Sequence, residues 1–257
     1  MKLNYKKIGE GRALVILHGL FGSLDNWQTL GKKFGEQYAV YLLDLRNHGH
    51  SPHSDYWTYD LMCDDLMEFL NDNNLDKIYL LGHSLGGKVA MQFALKYPER
   101  VDKLIVADIA PKYYPPHHEQ VLAAMNAVNL EIVKSRKEAE EILANNKMDV
   151  GTRQFLLKNI FWKDESNTTL AWRFNLKVIE RNIQIVGSEL LVGKTNTLPC
   201  LFLKGAKSNY ILEEDLGNAR TFFPNATLQT IENAGHWLHA DQPVLFYEEA
   251  IRFLEGK

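Results

Sequence analysis

The stretch YLLGHSLGGKVAMQFAL, from Tyr79 to Leu95, decides the fold and raises the first question about function. An apolar run stops at Gly82, and His83, Ser84 and Leu85 then precede two more glycines and a helical pattern. Glycine on both sides of the serine permits a sharp strand-to-helix turn that strains the residue between them. The hydroxyl is then expected at the sheet edge, above a helix N-terminus whose dipole favours developing negative charge. A plain turn with a capping serine, the alternative, needs no glycine on both sides.

Strand-like runs alternate with helical patterns around this stretch. The runs of the first half are ALVILHG (13–19), YAVYLLD (38–44), KIYLLGHS (77–84) and VDKLIVADIAP (101–111). Continuous apolar runs of this length are typical of strands that are buried on both faces. The alternation predicts an α/β fold with a mostly parallel central sheet and helices on both faces. The pattern is completed by a closing helix and by two further runs, LPCLFLKG (198–205) and ATLQTIENAG (226–235).

The middle of the chain has a different pattern. Residues 111–197 contain helical patterns and no buried-strand signal. We therefore predict one α/β core domain, made of residues 1–110 and 198–257, that carries a helical insertion at 111–197. Ligands of open α/β sheets bind outside the carboxyl ends of the strands. Because the insertion follows the fourth predicted strand, we expect it to form a cap over that site.

Composition excludes several classes of function. The chain has 257 residues, of which 46% are hydrophobic, and its formal net charge of -3 leaves no basic footprint for nucleic acid. The start of the chain has no apolar signal-peptide core, and the apolar runs are too short to span a bilayer. Two cysteines, Cys63 and Cys200, are interpreted as buried thiols in a reducing compartment. We expect a cytoplasmic monomer or homodimer that acts on a small molecule.

A serine hydroxyl is a poor nucleophile unless a base takes its proton, and His236 is the best-placed base. It lies in NAGHWLHADQP (233–243), after the last strand-like run and before the closing helix, at the same sheet edge as the serine. His239 follows three residues later and is expected to pack or to cap. His117 and His118 lie in the insertion, where the sequence offers no further ligands at metal-binding spacing. No metal site is predicted.

Two backbone N–H groups are needed to stabilise the oxyanion of an acyl transfer. One candidate is the N–H of Leu85, directly after the serine. The other lies in LHGLFG (17–22), where glycines let N–H groups face the site; Leu20 is the preferred donor and Phe21 the alternative. The polar loop DLRNHGHS (44–51) either contacts substrate through its arginine or a histidine, or forms a structural turn.

The sequence resembles the α/β-hydrolase superfamily in four motifs, LHGLFG, DLRNHGHS, GHSLGGKVAMQFALKYPERV and NAGHWLHADQP. The resemblance covers nearly the whole chain except the insertion, which varies in that superfamily. Three longer motifs, LHGLFGSLDNW, LLDLRNHGHS and VADIAPKYY, are similar to a branch of small esterases and thioesterases, the bacterial YbfF type and its mitochondrial abhydrolase relatives. The resemblance implies an α/β-hydrolase fold with a helical cap and a triad of serine, histidine and an acid. No metal or organic cofactor is expected for this chemistry.

The acid departs from the usual pattern of the superfamily, in which an aspartate follows the penultimate strand. Here that loop reads AKSNYILEED (206–215), and Ser208 and Asn209 stand in its place without a charge to orient an imidazole. Asp108 ends the strand after the nucleophile's helix, where the resembled branch places the acid. We predict Asp108 as the acid and keep Asp215 as the alternative. A turn or capping aspartate is the structural interpretation of Asp108.

These residues predict hydrolysis of a carboxylic ester, or of an acyl thioester, through an acyl-enzyme on Ser84. Aromatic residues are expected to pack and also to line a pocket for a short to medium acyl chain, namely Phe21, Phe161, Trp162, Trp172 and Trp237. The same scaffold supports acyl-CoA thioesterases, lactonases, C–C bond hydrolases and cofactor-free haloperoxidases. A non-catalytic ligand-binding protein is the alternative of another class. All three triad roles have a candidate, which argues against that alternative, because a decayed binder tends to lose one.

Overall fold

The apolar runs form one mixed β-sheet in the computed structural model, which describes residues 1–166, 168–190 and 193–257. The strands in these ranges are β1 (Tyr5–Ile8), β2 (Ala13–Leu17), β3 (Ala39–Leu43), β4 (Ile78–His83), β5 (Val101–Ala107), β6 (Ile160–Trp162), β7 (Leu170–Trp172), β8 (Cys200–Gly205) and β9 (Ala226–Ile231). The sheet order is β1-β3-β2-β4-β5-β8-β9; β1 pairs antiparallel with β3, and the other pairs of this sheet are parallel. The strands β6 and β7 form a separate antiparallel hairpin.

Helices cover both faces of the sheet and fill the segment between β5 and β8. In chain order they are α1 (Gln28–Phe34), α2 (Tyr59–Asp72), α3 (Leu85–Lys96), α4 (Glu119–Ala127), α5 (Arg136–Asn145), α6 (Val150–Leu157), α7 (Leu176–Arg181), α8 (Ile183–Val186), α9 (Asp215–Phe222), α10 (Leu238–Asp241) and α11 (Pro243–Glu255). Helices α4 to α8 and the β6–β7 hairpin lie between β5 and β8. Among the described residues, no helix combines the length and the apolar character needed to cross a membrane.

Burial on both faces explains the continuous apolar runs. In β2, Val15 and Leu17 share a core with residues of α2 and α3, whereas Leu14 and Ile16 share a core with residues of α1 and α11. Because successive side chains of a strand point to opposite faces, a strand that is covered on both sides shows no alternation of polar residues. The predicted mostly parallel sheet with helices on both faces is therefore confirmed.

Three parts of the fold were not predicted from the sequence pattern. Strand β1 has an exposed YKKI sequence at the sheet edge, and α9 is short and mostly polar. The segment 111–197, predicted to be helical, also contains the β6–β7 hairpin. Each hairpin strand has only three residues and is partly exposed, so it has no long apolar run that would mark it in the sequence.

Candidate active site

Ser84 occupies the turn between β4 and α3 in a conformation that residues other than glycine rarely adopt. Its φ is 52° and its ψ is -117°. The chain fits there because Gly82 and Gly86 have no side chains: a Cβ on Gly82 would lie 2.2 Å from the Gly86 carbonyl oxygen, and a Cβ on Gly86 would lie 2.5 Å from the His18 carbonyl oxygen. Such backbone strain costs about 1–3 kcal/mol and is concentrated at functional sites. The hydroxyl is thereby held at the carboxyl edge of the sheet, beside the N-terminus of α3.

His236 connects Ser84 to a buried carboxylate. The Oγ atom of Ser84 lies 3.1 Å from Nε2 of His236, and Nδ1 of His236 lies 2.7 Å from Oδ2 of Asp108. The serine directly follows β4, the aspartate directly follows β5 and the histidine lies in the loop after β9, so parallel strands deliver all three to one sheet edge. With the carboxylate ionised, Nδ1–H donates to Asp108, and Nε2 is left to accept from the serine hydroxyl. The three side chains form a linear hydrogen-bonded chain.

Asp108 is fully buried, and both of its carboxylate oxygens accept hydrogen bonds. The Oδ1 atom accepts from the Gly205 N–H at 3.0 Å, and Oδ2 accepts from the Ser208 hydroxyl as well as from His236. Ser208 stands at the loop position where the superfamily usually has its acid. This loop therefore contributes a donor to Asp108 in place of a carboxylate.

Asp215, the alternative acid, is engaged elsewhere. Its Oδ2 atom lies 2.5 Å from Nζ of Lys112 and accepts from the N–H of Leu212 at 2.8 Å. The side chain of Asp215 is largely buried in this ion pair. The structure thus brings Asp108, and not Asp215, into contact with His236.

The loop after β2 makes a tight turn from Gly19 to Gly22 beside the serine. The N–H of Gly22 donates to the carbonyl of Gly19 at 3.0 Å, and Phe21 has a φ of 58°. The ring Nδ1–H of His18 donates to the same carbonyl at 2.8 Å. Because the C=O and N–H of a trans peptide point in opposite directions, the N–H of Leu20 points away from these two donors. Within the described ranges no protein group accepts from this N–H.

His48 holds the same turn from the core. Its Nε2 atom accepts from the N–H of Phe21 at 3.3 Å, and its Nδ1–H donates to the carbonyl of Arg46 at 3.0 Å. Burial lowers the pKa of His48 to about 3 and the pKa of His18 to about 4. Both imidazoles are therefore neutral at pH 7, which leaves their Nε2 atoms able to accept. The structure places His48 in support of the turn, and Arg46 in a buried bidentate pair with Asp65.

Two further side chains that the sequence did not assign to the site contact His236. The ring of Tyr210 stacks on the imidazole of His236, with centroids 3.9 Å apart and planes 19° apart, and its hydroxyl bonds to Nε2 of His117 at 2.6 Å. The ring Nε2–H of His83 donates to the carbonyl oxygen of His236 at 2.8 Å. Burial holds the pKa of His83 well below its usual range, so this ring is neutral. One indication in the sequence that Tyr210 belongs to the site is its place in the loop after β8, near the usual position of the acid.

The serine opens on a cavity of about 340 Å³ between the core and the segment 111–197. Trp27 and His239 stack on each other at 4.2 Å in its core-side wall, and burial lowers the pKa of His239 to about 3. The opposite wall is built from α4, α6 and the loop between α5 and α6, with apolar contributions from Val121, Met148, Phe155 and Leu156. Among the described residues, no group of three or more His, Cys, Asp or Glu side chains could hold a metal ion.

The five aromatic residues predicted for the pocket divide into two sets. Phe21 and Trp237 line the cavity, whereas Phe161, Trp162 and Trp172 do not. The second set lies on the β6–β7 hairpin: Trp162 is 39% exposed, the ring of Phe161 lies against a guanidinium, and Trp172 stacks on a neighbouring phenylalanine. The pocket prediction is corrected for these three residues, because the hairpin directs them into cap packing or towards solvent. The aromatic residue that the segment 111–197 contributes to the cavity is Phe155 on α6.

Known proteins are similar to this chain over most of its length. The family model of the alpha/beta hydrolase fold matches residues 12–130. Esterase YbfF of Escherichia coli is 36% identical over 243 residues, which cover 94% of this chain and 92% of that protein. The sn-1-specific diacylglycerol lipase ABHD11 of Danio rerio is 38% identical over 255 residues, which cover 96% of this chain and 80% of that protein. A solved marine microorganism esterase is 42% identical, with a TM-score of 0.95 over 98% of this chain and 99% of its own.

These similarities confirm the resemblance that the motifs indicate. The alignments, each above 30% identity overall, cover most of each relative as well as of this chain. The match at the level of structure is equally extensive. The chain therefore belongs to the α/β-hydrolase family, among relatives that are named as esterases and lipases.

Proposed function

We propose that this protein, an esterase/lipase-type α/β-hydrolase, cleaves carboxylic esters through Ser84, His236 and Asp108. The single observation that carries this proposal is the continuous hydrogen-bonded chain from the serine hydroxyl to the buried carboxylate, at the wall of a cavity. A strained serine, an imidazole base and an orienting acid are the parts that nucleophilic acyl transfer needs.

In the proposed reaction, Oγ of Ser84 attacks the ester carbonyl carbon while Nε2 of His236 takes the hydroxyl proton. Asp108 stabilises the imidazolium that forms. The tetrahedral oxyanion accepts from the N–H groups of Leu20 and Leu85, each worth about 3 kcal/mol in the transition state. The C–O bond to the alcohol then breaks, and His236 gives its proton to the leaving oxygen. Water, deprotonated by His236, releases the acid from the acyl-enzyme.

Leu20 is preferred over Phe21 as the oxyanion donor because of the hydrogen bonds in the turn. The N–H of Phe21 already donates to His48, whereas the N–H of Leu20 points away from the bonds to the Gly19 carbonyl. Leu85 begins α3, where the first N–H groups of a helix have no intrahelical acceptor. The two donors therefore come from the ends of two adjacent strands, β2 and β4.

The cavity volume favours a substrate of modest size. The cavity is about 340 Å³ and is walled in part by apolar side chains of α4 and α6. We therefore propose a short to medium acyl chain, and we propose that residues 111–197 form the cap that sets its length. A thioester of the same acyl group would use the same chemistry. A cytoplasmic location remains a prediction from the sequence.

Hydrolysis of a p-nitrophenyl ester series, from acetate to palmitate, tests this function. We expect the wild type to turn over the shorter esters, with kcat/KM falling once the acyl chain exceeds the cavity. We expect Ser84→Ala to lose on the order of 10⁴-fold or more in kcat while keeping its fold. Equal turnover by both proteins would refute Ser84 as the nucleophile. No turnover by a folded wild type on esters or on acyl-CoA thioesters would favour a binding function instead.

A further inference from the structure

One buried side chain of the cap reaches the turn that carries the proposed oxyanion donor. Asn159 lies between α6 and β6, is 2% exposed, and donates from Nδ2 to the carbonyl oxygen of Phe21 at 2.8 Å. Its own backbone is fixed, because its N–H donates to Leu156 at 2.9 Å and its carbonyl accepts from Arg173 at 2.8 Å. The ring of Phe21 also lies 5.1 Å from that of Phe174, a buried cap residue. The cap thus contacts the turn with a rigidly held donor.

Phe21 needs such external support. A residue other than glycine in the left-handed region costs roughly 1–2 kcal/mol, so the turn is not the preferred conformation of these residues alone. The core fixes the peptide before Phe21 through His48, which accepts from the Phe21 N–H. The cap fixes the peptide after Phe21 through Asn159, which donates to the Phe21 carbonyl.

Two peptide planes connect Asn159 to the Leu20 N–H. The Phe21 carbonyl and the Gly22 N–H belong to one planar trans peptide and point in opposite directions. That Gly22 N–H donates to the Gly19 carbonyl, which in turn shares a peptide plane with the Leu20 N–H. If the plane after Phe21 rotates, the bond from Gly22 to Gly19 is lost, and the plane that carries the Leu20 N–H loses one of its two restraints. The other restraint is the His18 ring.

We propose that Asn159 is a positioning residue for the oxyanion hole, so that seating of the cap on the core is coupled to stabilisation of the transition state. This proposal rests on the proposed function. A preorganised donor acts on charge that develops only in the transition state. Loss of Asn159 therefore lowers kcat and leaves KM nearly unchanged. A residue that only shaped the pocket would instead change KM or the chain-length preference.

The test compares Asn159→Ala and Asn159→Leu with a matched control, Tyr59→Phe. The hydroxyl of Tyr59 on α2 donates to the carbonyl of Val186 in the cap at 2.9 Å. The control therefore removes one hydrogen bond from a side chain to a carbonyl across the same core–cap interface, without touching the oxyanion turn. Leucine keeps roughly the size of the asparagine and has no donor at any pH, so it provides the test if the alanine variant does not fold. Thermal unfolding verifies that each variant is folded.

We expect both Asn159 variants to lose roughly 10- to 100-fold in kcat, less than the roughly 10²- to 10³-fold of deleting an oxyanion donor outright. KM should stay within about 3-fold, and the affinity for an alkyl trifluoromethyl ketone, which forms a tetrahedral adduct with the serine, should fall with kcat. The control should retain its kcat and inhibitor affinity. Three outcomes would overturn the proposal while the proposed function stands. They are a wild-type kcat in a folded Asn159 variant, a rise in KM with no fall in kcat, and an equal fall in kcat in Tyr59→Phe. An inactive wild type overturns both.

Discussion

The core and the segment 111–197 contribute to the site in different ways. The core places Ser84 and Asp108 directly after neighbouring parallel strands, and both residues have strained φ angles, of 52° and 51°. The sheet can hold that strain because the carboxyl halves of β4 and β5, which lead into these two residues, are buried. The segment between β5 and β8 has short helices and a three-residue hairpin, and it contributes cavity wall. The proposed reacting groups therefore stand at the strand ends of the core, and the segment 111–197 bounds the space above them.

Among changes in the core, removal of the proposed acid should lower kcat the most after removal of the serine. Asp108→Asn keeps the shape but removes the charge that orients and stabilises the imidazole, so kcat should fall on the order of 10³- to 10⁴-fold. Steady-state kinetics on the preferred ester measures this loss. Near wild-type kcat in a folded Asp108→Asn protein would contradict the assignment.

Asp215→Asn is the matched control for the acid, since Asp215 is also buried but pairs with Lys112. It should retain kcat within a few fold and lower the melting temperature, because the ammonium of Lys112 loses its partner. If only the Asp215 change removed kcat, the acid would have been assigned to the wrong carboxylate, and the geometry at Asp108 would be structural.

On the cap side, narrowing the cavity should change specificity rather than chemistry. Val121 on α4 lines the cavity, and Val121→Phe should reduce kcat/KM for the longest accepted acyl chain by roughly 10- to 100-fold while acetate is hydrolysed as before. The p-nitrophenyl series measures the profile. Trp162→Phe, on the hairpin outside the cavity, is the control and should leave the profile unchanged. If only the hairpin variant changed the chain-length preference, the acyl chain would bind at the hairpin and not in this cavity.

The sequence predicted the core far better than the cap for a physical reason. Ser84 stands between glycines at a strand end, and this local pattern determines its conformation almost independently of the rest of the chain. His236 and the buried strands are also marked by their position in the alternating pattern. The choice of Asp108 over Asp215 came from family resemblance, because no local pattern distinguishes a triad aspartate from an ion-paired one.

The parts that were missed depend on contacts distant in sequence. Asn159 and Phe21 are 138 positions apart, and an asparagine after a short helix reads as an ordinary turn residue. For His48 the sequence left a structural turn and a substrate contact open, and the structural turn is distinguished only by the burial of the loop in three dimensions. The three hairpin aromatics were assigned to the pocket as aromatic residues of a helical insertion, and the sequence has no long apolar run that would mark the short hairpin on which they lie.

The smallest expected effect concerns the attachment of the two regions. Lys88 on α3 is fully buried, and its Nζ donates at 2.6 Å to the carbonyls of both Lys112 and Ser188, which lie near the two ends of the segment 111–197. The ring of Tyr114 lies 5.2 Å from the same nitrogen. A neutral amine has two N–H groups, enough for both carbonyls. One core lysine therefore hydrogen-bonds to the segment 111–197 near both of its ends.

Burial lowers the pKa of Lys88 to about 7 in the folded protein, against an ordinary value of 10.5; Glu189 raises it and Lys112 lowers it by smaller amounts. Between these two values the unfolded chain binds one more proton than the folded chain, so the free energy of unfolding rises with pH, by up to ~1.4 kcal/mol per pH unit. Below about pH 7 both states are protonated, and the full cost of burying the charge is present. Above the ordinary value neither state is charged, and that cost is absent.

Lys88→Met should remove this pH dependence. Urea unfolding at pH 7.5 and pH 9.5 should show the wild type gaining about 2–3 kcal/mol relative to the methionine variant at the higher pH. Lys96→Met is the control on the same helix, because Lys96 pairs with Asp64 near the surface, and hydrogen bonding to that carboxylate raises its pKa. Lys96 stays charged in both states over this range, so its removal should leave the slope unchanged. If the free energy of unfolding changes equally with pH in the wild type and in Lys88→Met, Lys88 is charged in the folded protein. An ammonium instead of an amine then donates to the two carbonyls of the cap.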